Sequence, residues 1–317
     1  MIKFIDIVYE TIVEESAELI KEGGNAIAGV DRIQLSDIEP TVKQIIYQYL
    51  EPVFGKIDYE SDEIFLLGST GKKESSGDLD IGYDLTYKHI FRDSTVESKL
   101  GELYEFIKES GNNSVIINQF TGDMIHFGFP QYDKNNELIN KTVQVDILIT
   151  VHPEFCKFYM YSPSSADSMY KGAHRNDLLR SIAKIISYQV LDGTYDDPLQ
   201  WVQFDLTSNG MIKCVKTLID EYCNKLKWNG TDEDLEIGYA KNISEKLISS
   251  DPKEVIRILV GDYDEDDIST FEDLFDIIKF DNNFKFSHKK DEILREAAKL
   301  IHENNRLEFP KMLEEYL

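Results

Sequence analysis

The sequence predicts an α+β protein in two parts: a small sheet with helices, followed by a helical region. Short apolar runs and alternating apolar-polar runs, both typical of strands, fall between residues 64 and 151. Helical periodicity dominates beyond Pro153. The chain has 317 residues, more than a single domain of roughly 100–200 residues. We therefore predict two domains, residues 1–158 and 159–317.

Two helices are predicted before the first strand. Residues 3–22 repeat apolar side chains at helical spacing, and Gly23-Gly24 ends this helix. A second helix over 36–52 begins at Ser36, with Glu39 three residues later, which is a capping-box pattern.

Five strands and one further helix are predicted next. The helix covers 95–110, and the strands cover 64–67, 79–85, 114–120, 123–129 and 142–151. Because side chains alternate along a strand, Asp78, Asp80 and Gly82 share one face. Asp146 lies in the middle of the last strand.

The second part is predicted to be helical throughout. Amphipathic patterns separated by Gly, Pro and Asp-rich breaks predict helices over 176–190, 208–227, 233–249, 252–260, 270–279 and 289–304.

The charge balance limits the partners. Lys and Arg total 34 against 59 Asp and Glu, which gives a formal net charge of -25 and excludes non-specific nucleic-acid binding by the whole surface. A polyanion must then meet a local basic patch, for which the basic residues of the segment 171–184 are candidates: Lys171, His174, Arg175, Arg180 and Lys184. The equally weighted alternative is the solvated face of an amphipathic helix capped by Asn176 or Asp177.

The sequence predicts a cytoplasmic protein without membrane segments. Its first 24 residues carry acids throughout and lack the apolar core of a signal peptide, and no later run approaches the ~18 apolar residues of a membrane span. Cys156, Cys214 and Cys223 form no CxxC pair, which argues against a disulfide framework.

Three aspartates form a candidate metal site. A hard divalent cation such as Mg²⁺ needs carboxylate oxygens on one rigid surface, and Asp78 and Asp80 on one strand provide such a surface. Asp146 on a later strand completes the site. The alternative is a surface turn followed by an edge strand, but an unpaired Asp inside the apolar strand around 146 is costly to bury without a cation.

The segment FLLGSTGKKESSGDLDIGYD, with Asp146 in QVDILI, resembles the signature of the polymerase β-like nucleotidyltransferase superfamily. The resemblance implies a palm, a small mixed sheet with helices, followed by a helical domain that closes one side of a nucleotide cleft. It implies an NTP substrate and two Mg²⁺ ions, replaceable by Mn²⁺, on Asp78, Asp80 and Asp146. Gly68 and Ser69 would approach the phosphates, with Lys72 or Lys73 adding positive charge.

The nature of the acceptor is predicted from a further resemblance. NGMIKCVKTLI resembles the helix of RNA-acting relatives whose lysine reaches the triphosphate, which indicates Lys213 or Lys216, although solvated lysines on an amphipathic helix are the alternative. CCA-adding, poly(A)-adding and toxin-type enzymes are the relatives in question. The expected acceptor is therefore an RNA 3′ end, tRNA above all, with Lys171 and Arg175 contacting it.

Two other functions stay open. Net acidity favours a cationic small-molecule acceptor of the aminoglycoside type, and a palm that has lost turnover would be a non-catalytic nucleotide-binding regulator. An antitoxin partner and the oligomeric state are questions on which the sequence is silent.

Overall fold

The computed structural model describes residues 27, 29–88, 95–110, 117–121, 124–164, 166–190, 200–218, 240–303 and 309–316. The chain divides into two compact units, Met1–Ile149 and Thr150–Leu317. The predicted helix over 3–22 lies outside the described residues. The assignment of 1–158 to catalysis and 159–317 to closing the cleft stays a prediction.

The helices described in unit 1 match the second and third predicted helices. They are α1 (Leu35–Ile45), which continues through a π-helical turn (Ile46–Leu50) into α2 (Glu51–Phe54), and α3 (Val96–Glu109). The helices predicted over 36–52 and 95–110 are thus confirmed. The capping box at Ser36 is wrong, because α1 begins one residue earlier and Gln34 occupies the N-cap without a side-chain bond.

The strands described in unit 1 are β1 (Ile33–Gln34), β2 (Ile64–Leu66), β3 (Ser75–Ser76), β4 (Asp78–Asp84), β5 (Ile117–Thr121), β6 (Met124–Tyr132) and β7 (Leu138–Thr150). β1 pairs with β3, and the others form a five-stranded sheet in the order β2-β4-β7-β6-β5. All five predicted strands are confirmed, although β7 begins four residues earlier than expected. The two strands that carry the predicted carboxylates are therefore neighbours.

Alternation along β4 and β7 fixes the faces of the sheet. Leu79, Ile81 and Tyr83 have no exposed surface, as expected for the apolar face of β4. Helix α1 packs against β6, and the Tyr49 ring contacts the Phe127 ring edge-on at 5.7 Å. The carboxylates on the other face of β4 therefore lie on the same side of the sheet as the carboxylate of β7.

Unit 2 contains both helices and a sheet. Its helices are α4 (Pro153–Tyr159), α5 (Gly172–Val190), α6 (Pro252–Leu259), α7 (Phe271–Phe280), α8 (Lys290–Glu303) and α9 (Lys311–Glu314). Its strands are β8 (Gln200–Thr207), β9 (Gly210–Leu218) and β10 (Ala240–Ser249), antiparallel in the order β10-β9-β8. The α+β class is confirmed for the chain, whereas a purely helical second part is wrong.

The helices predicted over 208–227 and 233–249 are wrong wherever these ranges are described. The local cause is a hairpin: Thr207 pairs with Gly210 across Ser208-Asn209, and Gly210 has a φ of 139° that favours glycine. Asn-Gly between two strands is a strong hairpin signal. The helices predicted over 176–190, 252–260, 270–279 and 289–304 are confirmed.

The core of unit 2 lies among its helices. Buried side chains from α4, α5, α7 and α8 pack together, including Phe155, Leu178, Phe271 and Leu294. No described helix combines the length and apolar character needed to cross a membrane.

Candidate metal centre

The carboxylates of Asp78, Asp80 and Asp146 come together at the centre of the five-stranded sheet. Asp78 and Asp80 occupy alternate positions of β4, and Asp146 lies on the neighbouring strand β7. One oxygen from each carboxylate lies within 4.8 Å of the other two. This is the juxtaposition that the sequence predicts.

The three carboxylates repel one another. Burial, followed by the negative charges of Asp78 and Asp146, raises the pKa of Asp80 well above its ordinary value. A cation between the oxygens would relieve this repulsion. An all-oxygen, anionic donor set suits hard divalent ions such as Mg²⁺ and Mn²⁺, so the residues present fit the predicted metal.

Gly68 lies against the carboxylate of Asp80. The turn after β2 places the Leu67 amide in a hydrogen bond with the Asp80 carbonyl at 2.9 Å. Gly68 then adopts a φ of +57°, and a methyl group on it would lie 2.1 Å from Asp80 Oδ2. The glycine is therefore required by the site itself, in addition to the predicted approach of phosphate.

Thr70 connects the same turn to β4 through a hydrogen bond. Its buried Oγ1 accepts a hydrogen bond from the Asp80 amide at 2.9 Å, and its own amide donates to the Leu67 carbonyl at 3.1 Å. The sequence interpretation missed Thr70. Its position two residues after Gly68 was the available signal, since threonine side chains commonly bond nearby backbone in turns.

Ser69 and Lys72 occupy the same turn. The Lys72 amide donates to the Ser69 carbonyl at 3.1 Å, Ser69 is partly buried, and the Lys72 side chain is exposed. Their contact with phosphate stays a prediction.

Asp146 is held by two side chains that sequence reasoning did not assign to the site. Gln144 Nε2 donates to both Asp146 oxygens, at 3.0 and 3.1 Å, and Gln144 Oε1 accepts from the Ile27 amide at 3.2 Å. Gln144 is two residues from Asp146 on the same strand face. This spacing was the signal that could have identified it.

His126 is the second partner of Asp146. The two residues are direct cross-strand neighbours of β6 and β7, and His126 Nδ1 lies 2.9 Å from Asp146 Oδ1. The hydrogen bond to Asp146 raises the pKa of His126, against the effect of burial.

The predicted basic patch is not a free surface. Arg175 is 1% exposed and donates from Nε to the Ile268 carbonyl at 2.6 Å and from Nη1 to the Phe158 carbonyl at 3.0 Å. Arg180 pairs with Asp205 at 3.0 Å, and Lys184 pairs with Glu296. An exposed patch containing Arg175 is therefore wrong, because the guanidinium serves to join backbone segments within unit 2.

Lys171 precedes α5 and is half-buried, and its amide donates to His174 Nδ1 at 3.2 Å. An acceptor contact through Lys171 stays a prediction.

Lys213 and Lys216 lie on β9 and not on a helix. Lys213 is opposite Phe204 of β8 and Lys246 of β10. The helical element that motivated their assignment is therefore wrong, and a triphosphate contact from this strand stays a prediction.

Comparisons with known proteins find only a weak structural similarity to solved structures. No protein-family model and no curated protein matches the chain. Among solved structures it is similar to Leishmania infantum polymerase beta in a ternary P/T complex, with 13% identity over 82% of this chain and 87% of that chain and a TM-score of 0.38. A ternary gap complex of polymerase beta from the same organism matches with 13% identity over 83% and 80% of the two chains and a TM-score of 0.38. These values are too low to assign the chain to a family.

Proposed function

We propose that the chain is a divalent-metal-dependent nucleotidyltransferase that moves a nucleoside monophosphate from an NTP to an acceptor hydroxyl and releases pyrophosphate. One observation carries the proposal: three carboxylates from two neighbouring strands converge to within 4.8 Å, against a Gly-Ser turn. A cation bound among the three carboxylates would relieve their mutual repulsion, and this is how the cluster supports a metal-dependent reaction.

Each residue of the site has a proposed role. Asp78, Asp80 and Asp146 would hold two Mg²⁺ ions, or Mn²⁺ in their place. When bound, the metal would supply neutralisation of phosphate charge and acidification of the attacking hydroxyl. The turn of Gly68 and Ser69 would receive the triphosphate, and Lys72 would add positive charge, with Lys213 or Lys216 as further candidates.

Asp146 would orient the acceptor hydroxyl, or accept its proton. Gln144 and His126 fix the plane of this carboxylate through three contacts of 2.9 to 3.1 Å. Because this carboxylate is already held in one orientation, it does not have to reorient when the acceptor binds.

The acceptor we propose is an RNA 3′ hydroxyl, that of tRNA first, as in the RNA-acting members, toxin-type enzymes included, of the superfamily that the carboxylate segment resembles. The lysine-bearing helix that also indicated RNA is the strand β9 in the structure. The enzyme would act in the cytoplasm, and Lys171 would contact the acceptor. Arg175 is left out of this role because its guanidinium is buried. A small cationic acceptor of the aminoglycoside type is the second candidate, and the net charge of -25 favours it.

The test is incubation of the full chain with each α-labelled NTP, Mg²⁺ and total tRNA, and in parallel with an aminoglycoside. Products are separated on a denaturing gel and by thin-layer chromatography. Asp80→Ala removes one carboxylate of the cluster, and Asp62→Ala, which removes an exposed acid of the same unit, is the matched control.

Label on tRNA with the wild type and Asp62→Ala but not with Asp80→Ala supports the proposal and identifies the nucleotide. Label on the drug alone supports the second candidate and overturns the RNA acceptor. Saturable NTP binding without pyrophosphate release would overturn catalysis and leave a nucleotide-binding regulator.

A further inference from the structure

Unit 2 contains a pocket that is separate from the carboxylate cluster in sequence and in lining residues. Its volume is about 440 Å³, within the range of roughly 300–1,000 Å³ of small-molecule sites. The pocket is lined by side chains of opposite charge together with aromatic rings, among them Arg175, Tyr161, Lys253, Glu265 and Asp266.

Arg175 is the buried cation of this pocket. Its side chain is 1% exposed, and its guanidinium lies over the Phe158 ring at 4.5 Å. Burial lowers the pKa of Arg175 to about 10, against the negative charge of Glu265, which raises it, so the group still carries its charge at neutral pH. A buried charge with no counter-ion in direct contact is unfavourable.

The backbone contacts of Arg175 leave donors unused. Nε and Nη1 donate to the carbonyls of Ile268 and Phe158. Within the part of the chain that the structure describes, Nη2 has no hydrogen-bond partner and no carboxylate forms an ion pair with Arg175. A guanidinium has five N–H donors, so two carbonyls cannot satisfy it.

The other charges around the pocket select the kind of anion. Lys157 pairs with Glu154 at 3.0 Å, and Asp251 caps α6 by accepting from the Lys253 amide at 3.0 Å. Glu265 and Asp266 are exposed at the pocket and would repel a doubly charged phosphate more strongly than a singly charged carboxylate. The same two acids can accept an ammonium group.

We propose that this pocket binds a small zwitterion, an α-amino acid or a short peptide, whose carboxylate is bound by the free edge of the Arg175 guanidinium and whose ammonium group is bound by Glu265 and Asp266. The site goes beyond the proposed nucleotidyl transfer and does not depend on it. A carboxylate at Arg175 supplies a counter-ion in direct contact, whereas Glu265 acts on the guanidinium without forming an ion pair, and the guanidinium is held rigid in advance by Ile268 and Phe158.

The experiment follows the Arg175 Nε–Hε signal of the ¹⁵N-labelled full chain by NMR at constant ionic strength. The probes are glycine and triglycine for the two zwitterion sources, N-acetylglycine for the carboxylate alone, glycinamide for the ammonium alone, and inorganic phosphate. We expect saturable millimolar binding of glycine or triglycine, about tenfold weaker binding of N-acetylglycine when one charge pair is lost, and none of glycinamide.

Glu265→Gln is the decisive variant, because Glu265 is exposed and its replacement leaves the core of unit 2 intact. It should weaken glycine binding and strengthen binding of N-acetylglycine and phosphate, an inversion that a purely structural Arg175 would not produce. Asp262→Asn, an exposed acid outside the pocket lining, is the matched control and should behave as the wild type.

Arg175→Lys, in which binding is followed through the backbone amide signals of the pocket residues, should abolish binding if the chain still folds. The proposal is overturned if no zwitterion produces a saturable shift, if phosphate binds as tightly as glycine to the wild type, or if Glu265→Gln leaves all affinities unchanged.

Discussion

Gly68 and the carboxylate of Asp80 occupy adjoining space: a methyl group on Gly68 would lie 2.1 Å from Asp80 Oδ2. The φ of Gly68 is +57°, a left-handed conformation that L-residues other than glycine disfavour. Glycine is thus required here both by its backbone conformation and by the position of the carboxylate.

We expect Gly68→Ala to abolish metal binding and transferase activity, because Asp80 must move away from the new methyl group. The left-handed strain should also lower the free energy of unfolding by about 1–2 kcal/mol. Mn²⁺ affinity by electron paramagnetic resonance and activity on labelled NTP are the measurements.

Gly71→Ala separates the two effects. Gly71 has a φ of +77°, but its methyl group would meet only Leu66 Cδ1 at 3.6 Å. This variant should lose similar stability and retain Mn²⁺ affinity. Equal loss of Mn²⁺ affinity in both variants would contradict the steric explanation.

Asp80→Asn is expected to stabilise the protein in the absence of divalent metal. The pKa of Asp80 is raised by burial and by the charges of Asp78 and Asp146, so at neutral pH the folded state must either protonate this group or retain an unfavourable charge. Asparagine removes that free-energy cost. Thermal unfolding in EDTA should therefore show a higher Tm for the variant than for the wild type.

Added Mg²⁺ should give the wild type a higher Tm than Asp80→Asn, the reverse of the order in EDTA. A ligand at a hundred times its Kd stabilises the state that binds it by about 2.7 kcal/mol, and Asp80→Asn lacks one of the three carboxylates that would bind Mg²⁺. Asp62→Asn, at an exposed position, should follow the wild type in both conditions. A wild type more stable than Asp80→Asn in EDTA would show that the three carboxylates do not repel one another as their positions indicate.

Thr70→Val should weaken the link between the Gly-Ser turn and β4. Valine matches threonine in shape but leaves the Asp80 amide without the acceptor that now lies at 2.9 Å. An unsatisfied buried donor costs about 1–3 kcal/mol, measurable by urea unfolding. Activity should fall as well, because this amide belongs to Asp80, a residue of the proposed metal site.

Thr70→Ser keeps the hydroxyl and loses only a methyl group, so its activity should stay close to that of the wild type. If the serine variant loses as much activity as the valine variant, packing of the methyl group and not the hydrogen bond positions the turn.

Sequence reasoning succeeded in unit 1 because its signals are local. Period-two alternation predicted the faces of β4, and an aspartate inside the apolar run of β7 indicated the third carboxylate. Adjacent strands then bring these residues together, as the order of the five-stranded sheet shows. The partners of Asp146 were missed in part because the pairing of His126 with Asp146 is a matter of strand register, which a single strand's sequence does not contain.

Sequence reasoning failed in unit 2 where strand and helix patterns overlap. The run from Met211 to Cys214 is buried at three of its four positions, so it fits the apolar stripe of a helix as well as a strand. The Asn-Gly pair at 209–210 was the better indicator, since it forms the β8–β9 hairpin. The burial of Arg175 could not be predicted either, because its acceptors at Phe158 and Ile268 are distant in sequence.

Gln144→Met tests whether the orientation of Asp146 matters for the reaction. Methionine has similar length but cannot donate to the two Asp146 oxygens, which now receive bonds of 3.0 and 3.1 Å. Loss of a group that orients a metal ligand typically lowers metal affinity or activity about 10–100-fold. We expect this loss in Mn²⁺ affinity and in kcat, with a smaller change in the KM for NTP.

Gln131→Met is the matched control, because Gln131 is also buried in unit 1 and its Nε2 donates to the Arg32 carbonyl at 3.3 Å, with no bond to Asp146. Both variants lose hydrogen bonds made by a buried side-chain amide, so both should be destabilised by about 1–3 kcal/mol. Only Gln144→Met should lose Mn²⁺ affinity, since only its amide fixes the carboxylate plane. If Gln144→Met keeps the Mn²⁺ affinity of the wild type, β7 and His126 position Asp146 without Gln144, and Gln144 serves the fold.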